Sequence, residues 1–519
     1  MQQRVVTRLS KSVSCTLPAP LKGLNVRDSL ADMDVGFAIV MDNYIPLDTR
    51  VMLRPGYTEY IKTTDKVRTL CEYIKGNTHR FLAVIGNKIY NISSRTAPAA
   101  YDGVTLTEGY CQTAQYKNYL YFVNGVDVPK AYYIDDEGVE HMANWGFSAT
   151  NLEPEKIVNV SVSKQRLWFV EKNTLRVWYP ETAGNISGTL QCFDLAQVCR
   201  FGGHLVAVAN WTQDGGQGID DLTVFITSEG EALVYSGDNV NSATDWKLRG
   251  SFKINRPIGY RCLVPFQGDV VIISEDGYVP LSKALPMEQA NASQFSFSDN
   301  IRGLILDRTA KYSNSNGWQG LIYGRRGYGI FNVPVAGQFE QHVINTSTGA
   351  WCRWTDIRSL CWGLFNGRLY FGSDAGVFLF EEGWSDNGVS ISGAVAQAYN
   401  DLGITSLKKI LLLNPRTRSS SPFALVIYTN MDMEERSIEY EESIGSSGLT
   451  KWNKAKWSSL IEPSGAKWST SNGNLIRSQW IANSSTGYKV SLVFKTKTRG
   501  TSIEWFETGI RFQRGEGVL

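Results

Sequence analysis

Phe365-Asn-Gly-Arg-Leu-Tyr-Phe-Gly-Ser-Asp-Ala-Gly-Val-Phe-Leu-Phe380 carries two turn signals inside one aromatic, alternating stretch. Asn366-Gly367 suits a two-residue hairpin because both positions of that turn need positive φ, and Asp374-Ala-Gly376 supplies a second reversal. The segment therefore reads as strand, turn, strand, turn, strand. Shorter versions of the same unit occur at 85–92, 116–125, 163–179, 201–208 with 225–235, 266–279 and 321–331.

Spacing gives the repetition its meaning. Leu120, Leu167 and Leu205 stand roughly 40–50 positions apart, the length that four short strands and their turns occupy in one propeller blade. The interval from Leu205 to Val270 is longer and leaves room for an insertion, for which Asn210 to Asp221 reads as an exposed loop. The predicted fold is all-β: a six- or seven-bladed β-propeller over residues 60–385, preceded by an extension at 1–59 that packs with the C-terminal region. Residues 386–519 follow as a β-sandwich or platform domain. Unrelated hairpins in two sandwiches are the competing arrangement.

With 15 Trp, 24 Tyr, 22 Phe and 48 Gly, the chain has the large aromatics and the turn formers such a ring needs. Trp168, Tyr121 and Tyr370 are expected to pack between blades. The join with the next domain falls at the polar stretch Trp384-Ser-Asp-Asn-Gly388. Beyond it, 390–399, 409–413, 423–428, 488–497 and 503–512 alternate like strands with one buried face.

Lys and Arg number 52 against 50 Asp and Glu, and a net charge of +2 argues against a surface that grips nucleic acid all over. The first residues are basic but lack an apolar core followed by a cleavage site, and no apolar run is long enough for a membrane helix. The eight cysteines include no close pair, and several sit in strand-like runs, as buried thiols do. His79, His141, His204 and His342 are too scattered to predict a metal site.

Phosphate-loop, dinucleotide, zinc-protease and serine-elbow motifs are absent. Asp135-Asp136-Glu137, Asp220-Asp221 and Glu275-Asp276 could supply carboxylates from separate blades but read more simply as solvated turns. The stretch from Asp214 to Glu229 lacks calcium-loop spacing. No cofactor and no catalytic or metal-ligating residue is predicted. Arg325, Arg326, Lys408 and Lys409 are the basic positions most compatible with DNA or an acidic neighbour. Trp452, Trp457, Trp468 and Trp480 follow neither the helix nor the strand period, and read as a pinned excursion or as contacts with a neighbouring subunit or a glycan.

The stretch Met41-Asp-Asn-Tyr-Ile-Pro-Leu-Asp-Thr-Arg-Val-Met-Leu-Arg-Pro-Gly-Tyr57 resembles the opening of tail nozzle proteins of short-tailed bacteriophages. Asn43, Pro46, Arg54, Pro55 and Gly56 carry the likeness, with Gly56 expected to make a left-handed turn after Pro55. The resemblance implies a non-enzymatic virion protein in the tail, assembled in the host cytoplasm as a homo-hexameric ring around a DNA-ejection channel. Its implied partners are a tail adaptor ring, tail spikes, fibres or a plug protein, and genomic DNA in passing. The alternative function is a carbohydrate-binding or carbohydrate-active propeller, with Trp452 or Trp457 stacking on sugar.

Overall fold

The computed structural model describes residues 12–96, 98–101, 103–214, 219–242, 244–266, 268–284, 297–434, 442–444 and 475–515. The chain divides into two compact units, one of residues 59–342 with 356–380, the other of 1–58, 343–355 and 381–519.

The first unit holds a six-bladed β-propeller. In the hairpin at 365–368, Asn366 and Gly367 have φ of 50° and 67°, the positive pair that joins Cys361–Phe365 to Arg368–Gly372. Gly376 opens the third strand, where a Cβ would stand 2.3 Å from the Ile61 carbonyl oxygen, so only glycine fits. Tyr57–Lys62 completes this last blade as its outer strand, so a segment from the start of the chain finishes a blade built near residue 370.

Four other blades are four-stranded meanders that begin at Val67–Lys75, Gln112–Tyr116, Ile157–Ser163 and Leu205–Asp214, the third extended by the short strand Gly146–Ser148. A three-stranded blade starts at Leu263–Phe266. Between it and the last blade in sequence come Gln319–Tyr323 and the start of the neighbouring strands, the unit expected at 321–331, as an antiparallel set. The choice between six and seven blades thus resolves into six self-contained blade sheets and one additional strand set.

Buried cores lie between successive members of the first five blades and between the last blade and the first. Trp168, fully buried, has its ring 5.4 Å from that of Phe225 in the next blade and 5.7 Å from that of Trp246. Tyr121 and Tyr370 occupy the corresponding cores between other blade pairs, so all three aromatics expected to pack between blades do so. All eight cysteines are free thiols.

One local expectation is corrected, and one helix is added to the all-β pattern. Residues 205–214 and 219–227 form one long hairpin instead of the exposed loop expected at 210–221, because the strand pairing continues through Trp211–Leu222 to Asp214–Ile219. An 11-residue helix, Arg302–Tyr312, interrupts the all-β pattern. Its buried residues Ile305 and Thr309 lie one turn apart, as a helix seated on a sheet requires.

The second unit is sandwich-like. Phe37–Asp42, Ile391–Gln397, Val490–Arg499 and Val426–Met431 are neighbours in one sheet. Ser12–Pro18, Ile503–Arg514 and Lys408–Ser419 belong to the other. Phe494 of the first stacks on Trp505 of the second at 4.6 Å, and Tyr44 meets Phe494 edge-on at 5.8 Å. No helix among the described residues is long and apolar enough to cross a membrane.

Candidate functional site: a cavity lined by the first strands of four blades

The strand Ile157–Ser163 reads Ile-Val-Asn-Val-Ser-Val-Ser. In a period-two strand Asn159, Ser161 and Ser163 share one face, and the valines between them supply apolar surface on the other. First strands of blades stand at the inner edge of their sheets, and here a polar row appears where a blade core would call for apolar residues. Together with the first strands of the blades before and after it, this strand bounds a cavity of about 680 Å³. Gln112, Thr113 and Gln115 contribute from one side, Asn210 and Thr212 from the next blade, and Phe266 and Asp269 from the three-stranded blade.

Asn159 is 6% exposed, and its Nδ2 donates to the Tyr260 carbonyl at 3.5 Å. Its Oδ1 has no hydrogen-bond partner, and neither has the Ser161 hydroxyl. Two buried, unpartnered polar atoms two residues apart in a strand that lines a cavity are unusual, since a buried polar group without a partner costs about 1–3 kcal/mol. Ser163, next along the same face, is satisfied by Asn210 Oδ1 at 3.0 Å and Thr223 Oγ1 at 2.7 Å. Asp269, the one carboxylate on the lining, accepts from the Val270 and Ser282 amides and from the Ser282 hydroxyl.

Arg261 lines this cavity and two smaller ones of about 250 and 130 Å³. It sits between the fourth and fifth blades in sequence yet donates to groups of the first blade and the linker after it: Arg68 O at 3.2 Å, Thr69 Oγ1 at 2.8 Å and Cys111 O at 2.7 Å. Its guanidinium also lies 5.4 Å from the centre of the Tyr110 ring. Those three acceptors are neutral. Burial pushes the Cys111 thiol and, with the nearby Cys361, the Tyr110 phenol up to about 12, so both stay uncharged at neutral pH.

The residues singled out by sequence fall elsewhere. Asn43 is buried, accepts from Arg54 Nε at 2.8 Å through Oδ1, and donates to Thr355 Oγ1 at 2.9 Å and Ser392 O at 2.7 Å. Arg54, 0% exposed, forks onto both oxygens of Asp386 at 2.8 and 2.5 Å. Pro46 O accepts from Asn345, and Pro55 O accepts from Arg54. Gly56 does not take a left-handed turn. It is required because a Cβ there would lie 2.0 Å from the Ser385 carbonyl oxygen.

Arg325 and Arg326 are exposed on the turn between Gln319–Tyr323 and Tyr328–Val335, and Lys409 is exposed on a strand paired on both sides, opposite Thr486 and Gln513. Lys408 is buried with its Nζ donating to Tyr488 O, and burial lowers its pKa. Trp480 is half-exposed, with its ring tip near Gly509. Trp452, Trp457 and Trp468 lie outside the described residues. Of the candidate carboxylates, Asp135 pairs with His141 at 2.8 Å, Asp136 with Lys75 at 3.1 Å, Asp221 accepts from Thr212 at 2.8 Å, and Asp276 faces Arg302 at 3.7 Å. No group of three or more metal-ligating side chains comes together among the described residues.

No family model matches the chain, and no curated protein matches it. Among solved structures it is similar to a streptogramin B lyase, with TM-score 0.38 and 11% identity over 63% of this chain and 97% of that one. It is also similar to virginiamycin B lyase from Staphylococcus aureus, with TM-score 0.37 and 11% identity over 61% and 95% of the two chains. A third is a candidate 6-phosphogluconolactonase from Bacteroides fragilis, with TM-score 0.36 and 12% identity over 64% and 91%. Likeness at this level assigns neither substrate nor reaction.

These findings correct the tail-nozzle expectation. The structures named are described as enzymes, not as tail components. The motif that carried the resemblance is also accounted for internally, by the buried Asn43–Arg54–Asp386 network. The virion location, the DNA-ejection role and the prediction of a purely non-enzymatic part are withdrawn with it.

Proposed function

We propose that the protein is a carbohydrate-binding β-propeller whose ligand occupies the cavity bounded by the first strands of four blades. The observation that carries this reading is a cavity wall of neutral hydrogen-bonding side chains in which Asn159 Oδ1 and Ser161 Oγ lie buried without a partner, so that a rotation about either side chain's bonds presents an unsatisfied oxygen to a ligand. A sugar hydroxyl both donates and accepts, so it satisfies an amide oxygen and a serine hydroxyl at once. Around them Gln112, Thr113, Asn210 and Thr212 add neutral donors and acceptors, while Tyr260, Pro265 and Phe266 offer apolar surface for the C–H faces of a sugar ring. About 680 Å³ falls within the range of small-molecule sites, roughly 300–1,000 Å³. Asp269 is the single carboxylate on the lining, so hydrolysis by a carboxylate pair is not assembled at this cavity.

The test is a glycan array followed by calorimetric titration of the best binder, on wild type and Ser161→Ala. Wild type is expected to bind, and the variant to lose about tenfold or more in affinity while melting no lower than wild type. Alanine removes a buried polar atom that has no partner in the free protein, so stability has nothing to lose. A wild type that binds no glycan, or a variant that binds equally well, contradicts the reading.

A further inference from the structure

We infer that the carbohydrate is acidic and that Arg261 is the residue that reads its carboxylate; this rests on the carbohydrate reading above. A half-buried guanidinium normally finds a carboxylate, because an unbalanced charge away from bulk water is costly. Arg261 has none among the described residues: its hydrogen bonds go to two backbone carbonyls and a threonine hydroxyl, and its ring contact is with neutral Tyr110.

Those bonds fix the guanidinium from the far side of the ring and use three of its five N–H groups, which leaves two for another partner. Arg261 lines the large cavity directly beside Tyr260, whose carbonyl holds Asn159, so the charge and the partnerless amide oxygen belong to one wall. Asp269, the other ionic group on that lining, is already engaged by Ser282 and the Val270 amide. Glu108 faces the 250 Å³ cavity and accepts from the Tyr110 amide at 3.1 Å. A uronate supplies what the wall lacks, an anion for the guanidinium and hydroxyls for Asn159 and Ser161.

Calorimetry on the intact protein with galacturonate, glucuronate and mannuronate oligosaccharides, each paired with its carboxyl-reduced counterpart, tests this without any mutation. At least one acidic member should bind about tenfold or more tighter than its reduced partner, with the advantage shrinking as salt rises. Arg261→Gln, first checked for an unchanged circular dichroism spectrum, should bind both members with the affinity wild type has for the reduced one. Equal or tighter binding of the reduced sugars by wild type overturns the role of Arg261 and leaves the carbohydrate reading standing. Failure of every sugar here and on the array overturns both.

Discussion

Arg54 and Asp386 form a two-pronged ion pair with side chains 0% and 5% exposed, and the arginine's remaining donors reach Asn43 and the backbone. Removing one member strands the other as a buried charge, which costs about 3–5 kcal/mol. Arg54→Met should therefore lower unfolding stability by that amount in urea titrations, and Asp386→Leu added to it should recover part of the loss. Glu231, fully buried, offers a pH-dependent counterpart. Burial raises its pKa, but hydrogen bonds from Ser251, Cys199 and the Phe201 and Arg200 amides outweigh this and leave it below the ordinary value. A folded-state pKa that is depressed supplies stability present above the unfolded value of about 4.3 and lost as pH falls through the folded one. Glu231→Gln should be less stable than wild type at pH 7 and lose less on acidification, read as urea midpoints between pH 7 and 3. At this scale sequence was informative only for contacts with a strong local signature. Asn366-Gly367 announced its turn, whereas Gly56 was assigned a turn when its need is close approach to Ser385, a partner more than 300 positions away.

Strands and hairpins were the most legible level, because period-two alternation and turn chemistry are local. One blade hairpin breaks the usual turn rule: Lys164 and Gln165 hold φ of 54° and 53° with neither Asn nor Gly present. Gln165 is exposed and its backbone oxygen, not its side chain, receives Tyr116 Oη. Gln165→Gly should therefore stabilise the protein by about 0.5–1 kcal/mol, measurable as a raised melting temperature. Where pairing extended past a polar, glycine-rich stretch, as at 205–227, composition pointed to a loop and the strand register prevailed. The alternation Val158-Asn-Val-Ser-Val-Ser163 was the available signal for the cavity wall, since its polar face sits on a strand otherwise suited to a core. Arg261 had no such signal, because its partners Arg68, Thr69 and Cys111 lie on segments that only the closed ring brings near.

At the scale of the molecule, a propeller closes because its last blade takes an outer strand from the beginning of the chain, Tyr57–Lys62. Repeat spacing revealed the ring but not the reuse of Trp351–Trp354 in the other unit, where a parallel pairing with Gly23–Leu24 leaves no trace in local sequence. Function was least legible, since a site assembled from four blades has no sequence spacing of its own, and a short motif pointed instead to a phage tail. The most direct measurement is a crystal structure of the protein soaked with its best-binding uronate oligosaccharide. Sugar density is expected in the cavity bounded by Gln112, Asn159 and Asn210, with a hydroxyl at Ser161 and the carboxylate on Arg261. Sugar bound elsewhere on the chain, with only water in that cavity, would contradict it.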